Sequence, residues 1–417
     1  MNKKKVLVIS DHPMSPSGVG TQTKMFIEAL LKTDRYKFVC LGGAIKHQSY
    51  EPQAIDPWGE DFIVYPVDGY GNQDAIRSIL RTERPDVLWF MTDPRFYEWL
   101  WTIENEVRPL IPMVYYHVWD NYYAPKYNDK FYKSNDKIVC ISKVTHDIVK
   151  EVSPSVDSEY LPHTTNPDVF CRLNSKAVKE DILKEDKDKF VLFFNSRNAR
   201  RKMSGNLIVW FKDFLDMVGH DKAMLLMHTN PKDPNGPDLE QIVVDFDLMD
   251  GQVKFSTAAV VPETLCQMYN AVDLTVAISD AEGFGLSCLE SLNCATPVLV
   301  TMTGGLQEQV TDGKKWFGRG IRPCSQMVVG SQQVPYIYED RINKETFLKK
   351  LKELYDMWKN KPEKYEKMGL NGMKHMHKNY NFNKFEEKWV KIMDDVVEKH
   401  GSWENRKGYE SWEVKEL

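Results

Sequence analysis

The stretch Val276–Gly313, VAISDAEGFGLSCLESLNCATPVLVTMTGGLQEQVTDG, decides the fold. The run that leads into it, Leu274 to Ile278, is short and apolar and predicts a buried strand. Ser279 to Gly285 is polar and Gly-bearing and reads as a turn. Leu286, Leu289, Leu292 and Ala295 recur at helical spacing, so Leu286 to Cys294 predicts a helix. Pro297 to Val300 predicts a second buried strand. A strand, a glycine turn, a helix and a strand make the minimal parallel crossover, which places the chain in the α/β class.

The chemistry of this unit lies at its turn. Gly283 and Gly285 carry no Cβ, so a ligand can approach the backbone around Phe284 and Leu286 closely. The N–H groups that open the helix are orphan donors suited to phosphate oxygens. Glu282 stands just before them and Glu290 about two turns into the helix, where carboxylates can accept hydrogen bonds from sugar hydroxyls. The pattern suits a phosphate flanked by polyol groups. It equally suits an ordinary crossover whose glycines only shape the turn.

Glu282-Gly-Phe-Gly-Leu-Ser-Cys-Leu-Glu290, followed by Ala295-Thr-Pro-Val and Gly304-Gly-Leu-Gln-Glu308, resembles the donor-site signature of glycosyltransferase family 4. The resemblance implies the GT-B fold: two doubly wound Rossmann-like domains facing a central cleft. It also implies retaining, metal-independent transfer from a nucleotide diphosphate sugar. That donor is a substrate, and no cofactor and no metal ligand are expected.

Composition sets the outer bounds. A chain of 417 residues suggests two or three domains, and 42% hydrophobic residues are enough for sizeable cores. A net charge of −5 gives no global attraction to nucleic acid or anionic membrane. Seven cysteines lie scattered without CxxC or zinc spacing, which suggests free thiols in a reducing compartment. The opening MNKKKVLVIS is too short in apolar residues for a signal peptide. No stretch approaches the roughly 18 apolar residues of a membrane span. The expectation is a cytoplasmic protein with no integral membrane segment.

In the first domain, expected over 1–172, Lys5 to Ser10 predicts a central strand. Gly18 and Gly20 precede an amphipathic helix, but the dinucleotide fingerprint is incomplete because position 23 is Thr. Taken alone this is a structural turn. The resemblance places a Gly-rich loop here against donor phosphates and acceptor, which makes Gly18 and Gly20 donor candidates and Asp11 an acceptor candidate. Further strands are predicted at Phe38–Leu41, Phe62–Val64, Val87–Phe90 and Val114–His117, with a helix at Gln73–Arg81. His117 falls at a carboxyl edge of the sheet, where open α/β folds bind ligands. A lone His is more often structural, but the resemblance gives His117 the role of facing the donor sugar. The aromatic-rich region from Trp89 to Tyr132 reads mostly as core. A few near Trp119 could instead stack on an acceptor ring, sugar or base, which makes Trp119 and Asp120 acceptor candidates. The segment Leu161–Phe170 resembles the family's linker, with His163 and Thr164 in place of its Asn and Gly.

The second domain, expected over 173–381, begins after the charged segment Asn174–Lys189 with the strand Phe190–Asn195. Arg197, Arg200, Arg201 and Lys202 follow in the strand-to-helix loop. They read either as a solvated charge run or as a clamp for a departing diphosphate. The resembled family places Arg and Lys five apart here, which selects Arg197 and Lys202 and leaves Arg200 and Arg201 unassigned. By the same resemblance Glu290 holds the ribose, and Glu282 and His117 position the donor sugar. Asp245-Phe-Asp247 is similar to the Asp-x-Asp metal motif of other glycosyltransferases. It lies between a helix pattern and a strand pattern and is read as unrelated to metal. The basic segment 314–341 has no assignment. Helices are predicted at Lys344–Lys359 and Pro362–Lys378. The last one, within 382–417, is expected to return to the first domain, followed by a polar tail with Trp403 and Trp412.

The function expected from the resemblance is sugar transfer to an acceptor hydroxyl, by default on a saccharide or small polar molecule. Three alternatives remain at this level. Hydroxylated DNA bases would be the acceptor if Arg200, Arg201, the segment from Lys314 to Arg322 and the aromatics near Trp119 engaged a flipped base. The chain would be a non-catalytic nucleotide-sugar-binding protein if binding occurred without turnover. An epimerase or phosphorylase would use the same fold.

Overall fold

The structure is a computed structural model that describes residues 3–409; Trp412 lies outside the described residues. It divides into two compact units. Unit 1 comprises the residues up to His163, the segment Gly330–Tyr336 and the residues from Asn383 onward. Unit 2 comprises Thr164–Val329 and Ile337–Phe382.

Unit 1 runs β1 (Lys4–Asp11), α1 (Gly18–Leu31), β2 (Tyr36–Gly43), β3 (Gln53–Ile55), β4 (Gly59–Pro66), α2 (Gln73–Glu83) and β5 (Val87–Thr92). It continues with α3 (Glu98–Trp101), α4 (Glu104–Val107), β6 (Met113–His117), α5 (Asp129–Lys133), β7 (Lys137–Cys140), α6 (Lys143–Val152) and β8 (Ser158–Tyr160). The sheet order is β3-β4-β2-β1-β5-β6-β7-β8. Every neighbouring pair is parallel except β3 with β4. Val6, Leu7, Val8 and Ile9 of β1 are all buried, as a strand covered on both faces requires. The Ser17 side chain caps α1 by accepting from the Gly20 N–H, and Asn72 caps α2 through the Ala75 N–H. The aromatic-rich stretch after β5 holds α3, α4 and α5, three short helices that its sequence pattern did not announce.

Unit 2 runs α7 (Ser175–Leu183), β9 (Phe190–Asn195), α8 (Ser204–Val218), β10 (Ala223–His228), α9 (Leu239–Asp245), β11 (Val253–Ser256) and α10 (Pro262–Ala271). Then come β12 (Leu274–Ala277), α11 (Leu286–Asn293), β13 (Val298–Thr301), α12 (Leu306–Gln309), β14 (Gly318–Ile321), β15 (Ser325–Val329) and β16 (Ile337–Arg341). The helices α13 (Lys344–Asn360) and α14 (Pro362–Asn379) close the unit. Its main sheet is wholly parallel in the order β11-β10-β9-β12-β13-β14. The segment without an assignment resolves into β14, an edge strand, and an antiparallel hairpin of β15 with β16. β14 escapes recognition because it begins with glycine for a packing reason. A Cβ on Gly318 would lie 1.8 Å from the Val298 carbonyl oxygen.

The division falls at His163/Thr164, earlier than the boundary expected at 172. The Thr164 hydroxyl donates to the Tyr380 carbonyl at 2.7 Å, and the Asn293 amide donates to the Thr165 hydroxyl at 2.9 Å. The segment after His163 is therefore already tied into unit 2.

Both sheets reverse their strand order once. In unit 1 the reversal lies between β1 and β5, and in unit 2 between β9 and β12. Ligands of open α/β sheets bind outside the carboxyl ends of the strands at such a point. In unit 2 the register pairs Leu192 with Leu274 and Phe193 with Thr275, which sets the ends of β9 and β12 level.

The last helix, α15 (Phe382–His400), packs on the unit 1 core through Trp389. That ring lies 4.8 Å from Phe26, 4.9 Å from Tyr116 and 5.9 Å from Trp89, and it is fully buried. Trp389→Ala is expected to cost about 3–5 kcal/mol through lost burial and a residual cavity. Urea unfolding followed by circular dichroism measures it, and an unchanged midpoint would remove α15 from the unit 1 core.

Candidate donor-binding site of unit 2

The loops after β9 and β12 carry most of the residues singled out from the sequence. The turn Glu282–Gly285 is fixed from behind by the loop after β13. The Gly305 N–H donates to the carbonyls of Glu282 and Gly283, both at 3.2 Å, and the Gln309 amide donates to the Phe284 carbonyl at 2.7 Å. Across a trans peptide the N–H points opposite to the C=O. The N–H groups of Gly283, Phe284 and Gly285 therefore turn away from the β13 loop. Gly285 has φ +92°, and no side chain caps α11, so its first N–H groups remain donors for a ligand. The Phe284 ring is buried at 5.7 Å from the Tyr380 ring, which anchors the turn and leaves recognition to its backbone.

Lys202 and Glu282 form an ion pair across these two loops, and both side chains are largely buried. Burial pushes the Glu282 carboxyl up, but Lys202 and Arg201 outweigh it, and the group ends below the usual range. The Ser279 hydroxyl adds a hydrogen bond to the same carboxylate at 3.3 Å. Lys202, Arg201 and Glu282 are thus brought together as one charged cluster.

Glu290 is half-buried and has a partner of its own. The Tyr269 hydroxyl of α10 donates to its carboxylate at 2.8 Å and itself accepts from the Asn195 amide at 2.7 Å. Burial raises the Glu290 carboxyl to about 7 against the pull of Tyr269. Tyr269 and Asn195 were not singled out from the sequence. Asn195 carried one usable signal, a polar residue closing the apolar strand β9.

Arg197 does not join Lys202. Its guanidinium holds Asp233, from the loop after β10, at 2.6 and 3.2 Å, while its side chain stays 64% exposed. The hydrogen bond from Arg197 pulls the Asp233 carboxyl far down. The two arginines left unassigned are engaged within the unit. Arg200 binds Glu339 of β16 at 2.6 and 2.9 Å, and Arg201 donates to the Ala281 carbonyl at 2.6 Å. Arg341 links Glu339 to the buried Asp280, each at 3.0 Å. Burial raises Asp280 to about 6 despite Arg341. The hairpin thus supplies counter-charges beneath the β12 loop.

Unit 1 treats its candidates differently. His117 ends β6 fully buried, with Nε2 2.8 Å from the Tyr132 hydroxyl and Nδ1 without a partner. Burial lowers it to about 3, so the imidazole is neutral at any working pH. Asp11 accepts from Ser17 at 2.5 Å and from Tyr70 at 2.7 Å. Gly20 is needed for packing, since a Cβ would lie 2.3 Å from the Ser15 hydroxyl, whereas Gly18 simply opens α1. The expected stacking surface at Trp119 is corrected. Trp119 is buried, its indole N–H donates to the Asn121 carbonyl, and its ring packs edge-on against Tyr127. Asp120 beside it is half-buried. Asp245 and Asp247 are exposed, with Asp245 accepting from Gln241 at 2.8 Å. No cluster of His, Cys, Asp or Glu among the described residues is arranged to hold a metal ion.

With this geometry in place, comparison with known proteins is decisive for unit 2. The family "Glycosyl transferases group 1" matches over residues 175–375. That match covers 201 of the 417 residues, a little under half of the chain. D-inositol 3-phosphate glycosyltransferase of Acidothermus cellulolyticus is 43% identical over 53 residues, 13% of this chain and 12% of that protein. The chain matches only 12% and 41% of the lengths of the first two curated relatives. Sucrose-phosphate synthase from Thermosynechococcus elongatus superposes with a TM-score of 0.74 at 15% identity, over 95% of this chain and 100% of that one. Anabaena HepE in complex with UDP-glucose superposes with a TM-score of 0.65 at 13% identity, over 94% and 99%. The fold is GT-B, as the α/β pattern and the donor motif led us to expect.

The Lys202–Glu282 pair makes a thermodynamic prediction independent of any ligand. Lys202→Met should lose about 1–3 kcal/mol, the usual penalty for leaving a buried polar group unsatisfied. The double change with Glu282→Gln should recover part of that loss. A double change as costly as the sum of the two single ones, in a denaturation cycle, would show that the pair is uncoupled.

Proposed function

We propose that the chain is a retaining, metal-independent glycosyltransferase that moves a sugar from a nucleotide diphosphate sugar to an acceptor hydroxyl. The observation that carries this reading is the set of donors and acceptors at the strand reversal of unit 2. Outward-turned N–H groups, an ion-paired lysine and two carboxylates all lie along one carboxyl edge. HepE, on the same fold, is described in complex with UDP-glucose, which supports a nucleotide diphosphate sugar as the donor class.

In this reading the diphosphate takes the amides around Phe284, Gly285 and Leu286 and draws Lys202 away from Glu282. Glu282 is then released to accept hydrogen bonds from the donor sugar, and Glu290 receives the ribose hydroxyls. Arg197 turns its exposed guanidinium to the phosphates while Asp233 holds its base. The bond from the anomeric carbon to the diphosphate oxygen breaks as the acceptor oxygen attacks from the same face, and the acceptor's proton passes to the diphosphate. Lys202, Arg197 and the amides stabilise the charge that develops on the leaving group. We assign a saccharide or small polar acceptor in preference to DNA. Arg200, Arg201 and Arg319 are held by Glu339, the Ala281 carbonyl and Glu353. The seven free cysteines fit the reducing cytoplasm we assign.

Transfer of radiolabelled sugar to a panel of saccharides, with the product anomer read by NMR, tests the activity. Retained configuration and full rate in excess chelator are expected. Lys202→Ala and Arg197→Ala should each lower kcat by about 10²–10³. Inverted product, dependence on added Mg²⁺, or wild-type turnover in either variant would overturn the corresponding part.

A second outcome follows from Glu290. Hydroxyls that donate to its carboxylate favour the ionised form, so binding lowers its pKa below about 7 and releases a proton. Affinity for a nucleotide diphosphate sugar, whose diester phosphates do not titrate near neutrality, should rise with pH up to about 7 and then level off. Calorimetry in buffers of differing ionisation heat measures the released proton. The same pH slope in Glu290→Gln would remove Glu290 from the site.

A further inference from the structure

Three of the seven cysteines meet in unit 2, where the donor-site proposal gives them no task. Cys266 on α10 and Cys294 just after α11 are buried, with their sulfurs 3.8 Å apart. The third, Cys171, is partly exposed, and its carbonyl accepts from the Cys266 thiol at 3.4 Å. Burial, with Cys266 beside it, pushes the Cys171 thiol up. Cys324, the exposed cysteine, lies elsewhere in the chain.

The placement of the pair matters. α10 and α11 are bridged twice. One bridge is the hydrogen bond from Tyr269 to Glu290, and the other is the Cys266–Cys294 contact, about one turn before Tyr269 on α10 and one turn after Glu290 at the end of α11. The Cys294 N–H also donates to the Glu290 carbonyl at 3.1 Å. A shift of either sulfur is therefore transmitted to the backbone that carries Glu290. The environment favours reaction at Cys266. The hydrogen bond with Cys294 pulls the Cys266 thiol down to about 6 against burial, and the same bond pushes Cys294 up.

We propose that Cys171, Cys266 and Cys294 form a redox-modification site in which Cys266 and Cys294 are joined as a disulfide that closes α10 onto α11. The co-reactant is a peroxide, which enters at the partly exposed Cys171. Cys171 gives its proton to solvent and its sulfur attacks one peroxide oxygen, giving Cys171 sulfenic acid and water. The Cys266 thiolate attacks that sulfur and expels the second water, forming a Cys171–Cys266 disulfide. The Cys294 thiolate then attacks Cys266, forms Cys266–Cys294 and returns Cys171 as a thiol. Two thiols are oxidised by two electrons, and one peroxide is reduced to two waters. The sulfurs must close by roughly 1.8 Å to reach bonding distance. That movement pulls on the Tyr269–Glu290 bond, so the disulfide weakens nucleotide binding. This last step rests on the donor-site reading; the disulfide does not.

The test uses the full chain carrying Cys324→Ser, which removes the exposed competitor. The folded protein is treated with hydrogen peroxide, its remaining thiols are alkylated under denaturing conditions, and its peptides are mapped without reduction. The expected result is a Cys266 peptide linked to a Cys294 peptide, released by dithiothreitol and formed more slowly in Cys171→Ala. Affinity for UDP-glucose should fall about tenfold on oxidation and return on reduction. Hydrogen exchange along α10 and α11 should change in parallel, a readout that needs no ligand. Peroxide treatment that leaves Cys266 and Cys294 unlinked, or links them only in unfolded protein, overturns the proposal. A linked protein with unchanged exchange in both helices overturns the coupling. Reduced protein that binds no nucleotide sugar counts against the donor-site reading alone, because the linked peptide and the exchange pattern are read without it.

Discussion

Gly305 leaves no room for a side chain. A Cβ there would lie 2.8 Å from both the Cα and the carbonyl oxygen of Phe284. This close approach lets one N–H reach two carbonyls of the 282–284 turn and turns the amides of that turn outward. The direction in which unit 2 presents its hydrogen-bond donors therefore depends on a missing methyl group on a neighbouring loop. The strand order does the rest, because the reversal between β9 and β12 brings the turn level with the loop that carries Lys202.

Around that turn each cation is matched to its own partner. Lys202 pairs with Glu282, Arg197 with Asp233, and Arg200 with Glu339. An unpaired charge in such a place would carry a large desolvation cost, and a pair that exchanges one anion for another avoids most of it. The site thus carries its own counter-ions.

Much of the framework was legible in the sequence. The strands Phe190–Asn195 and Ala223–His228 and the helix Pro262–Ala271 fall where the apolar runs put them, because parallel strands buried on both faces are continuous in hydrophobicity. The turn at 282–285 was readable because its glycines and carboxylates are local. The partners were not. Lys202 and Glu282 lie 80 residues apart, Arg200 and Glu339 lie 139 apart, and no periodicity records such pairings. β14 was hidden by glycines that packing demands. Trp119 misled because an aromatic beside a carboxyl edge looks the same in sequence whether its ring is packed or presented.

The β15–β16 hairpin pairs with no other strand, so the parallel sheet would keep its order and register without it. Electrostatics set a different limit. Glu339 and Arg341 are the counter-ions of Arg200 and of the buried Asp280. Removing the strands would leave the buried Asp280 carboxylate without Arg341. In evolutionary terms the hairpin cannot be lost without a compensating change at position 280.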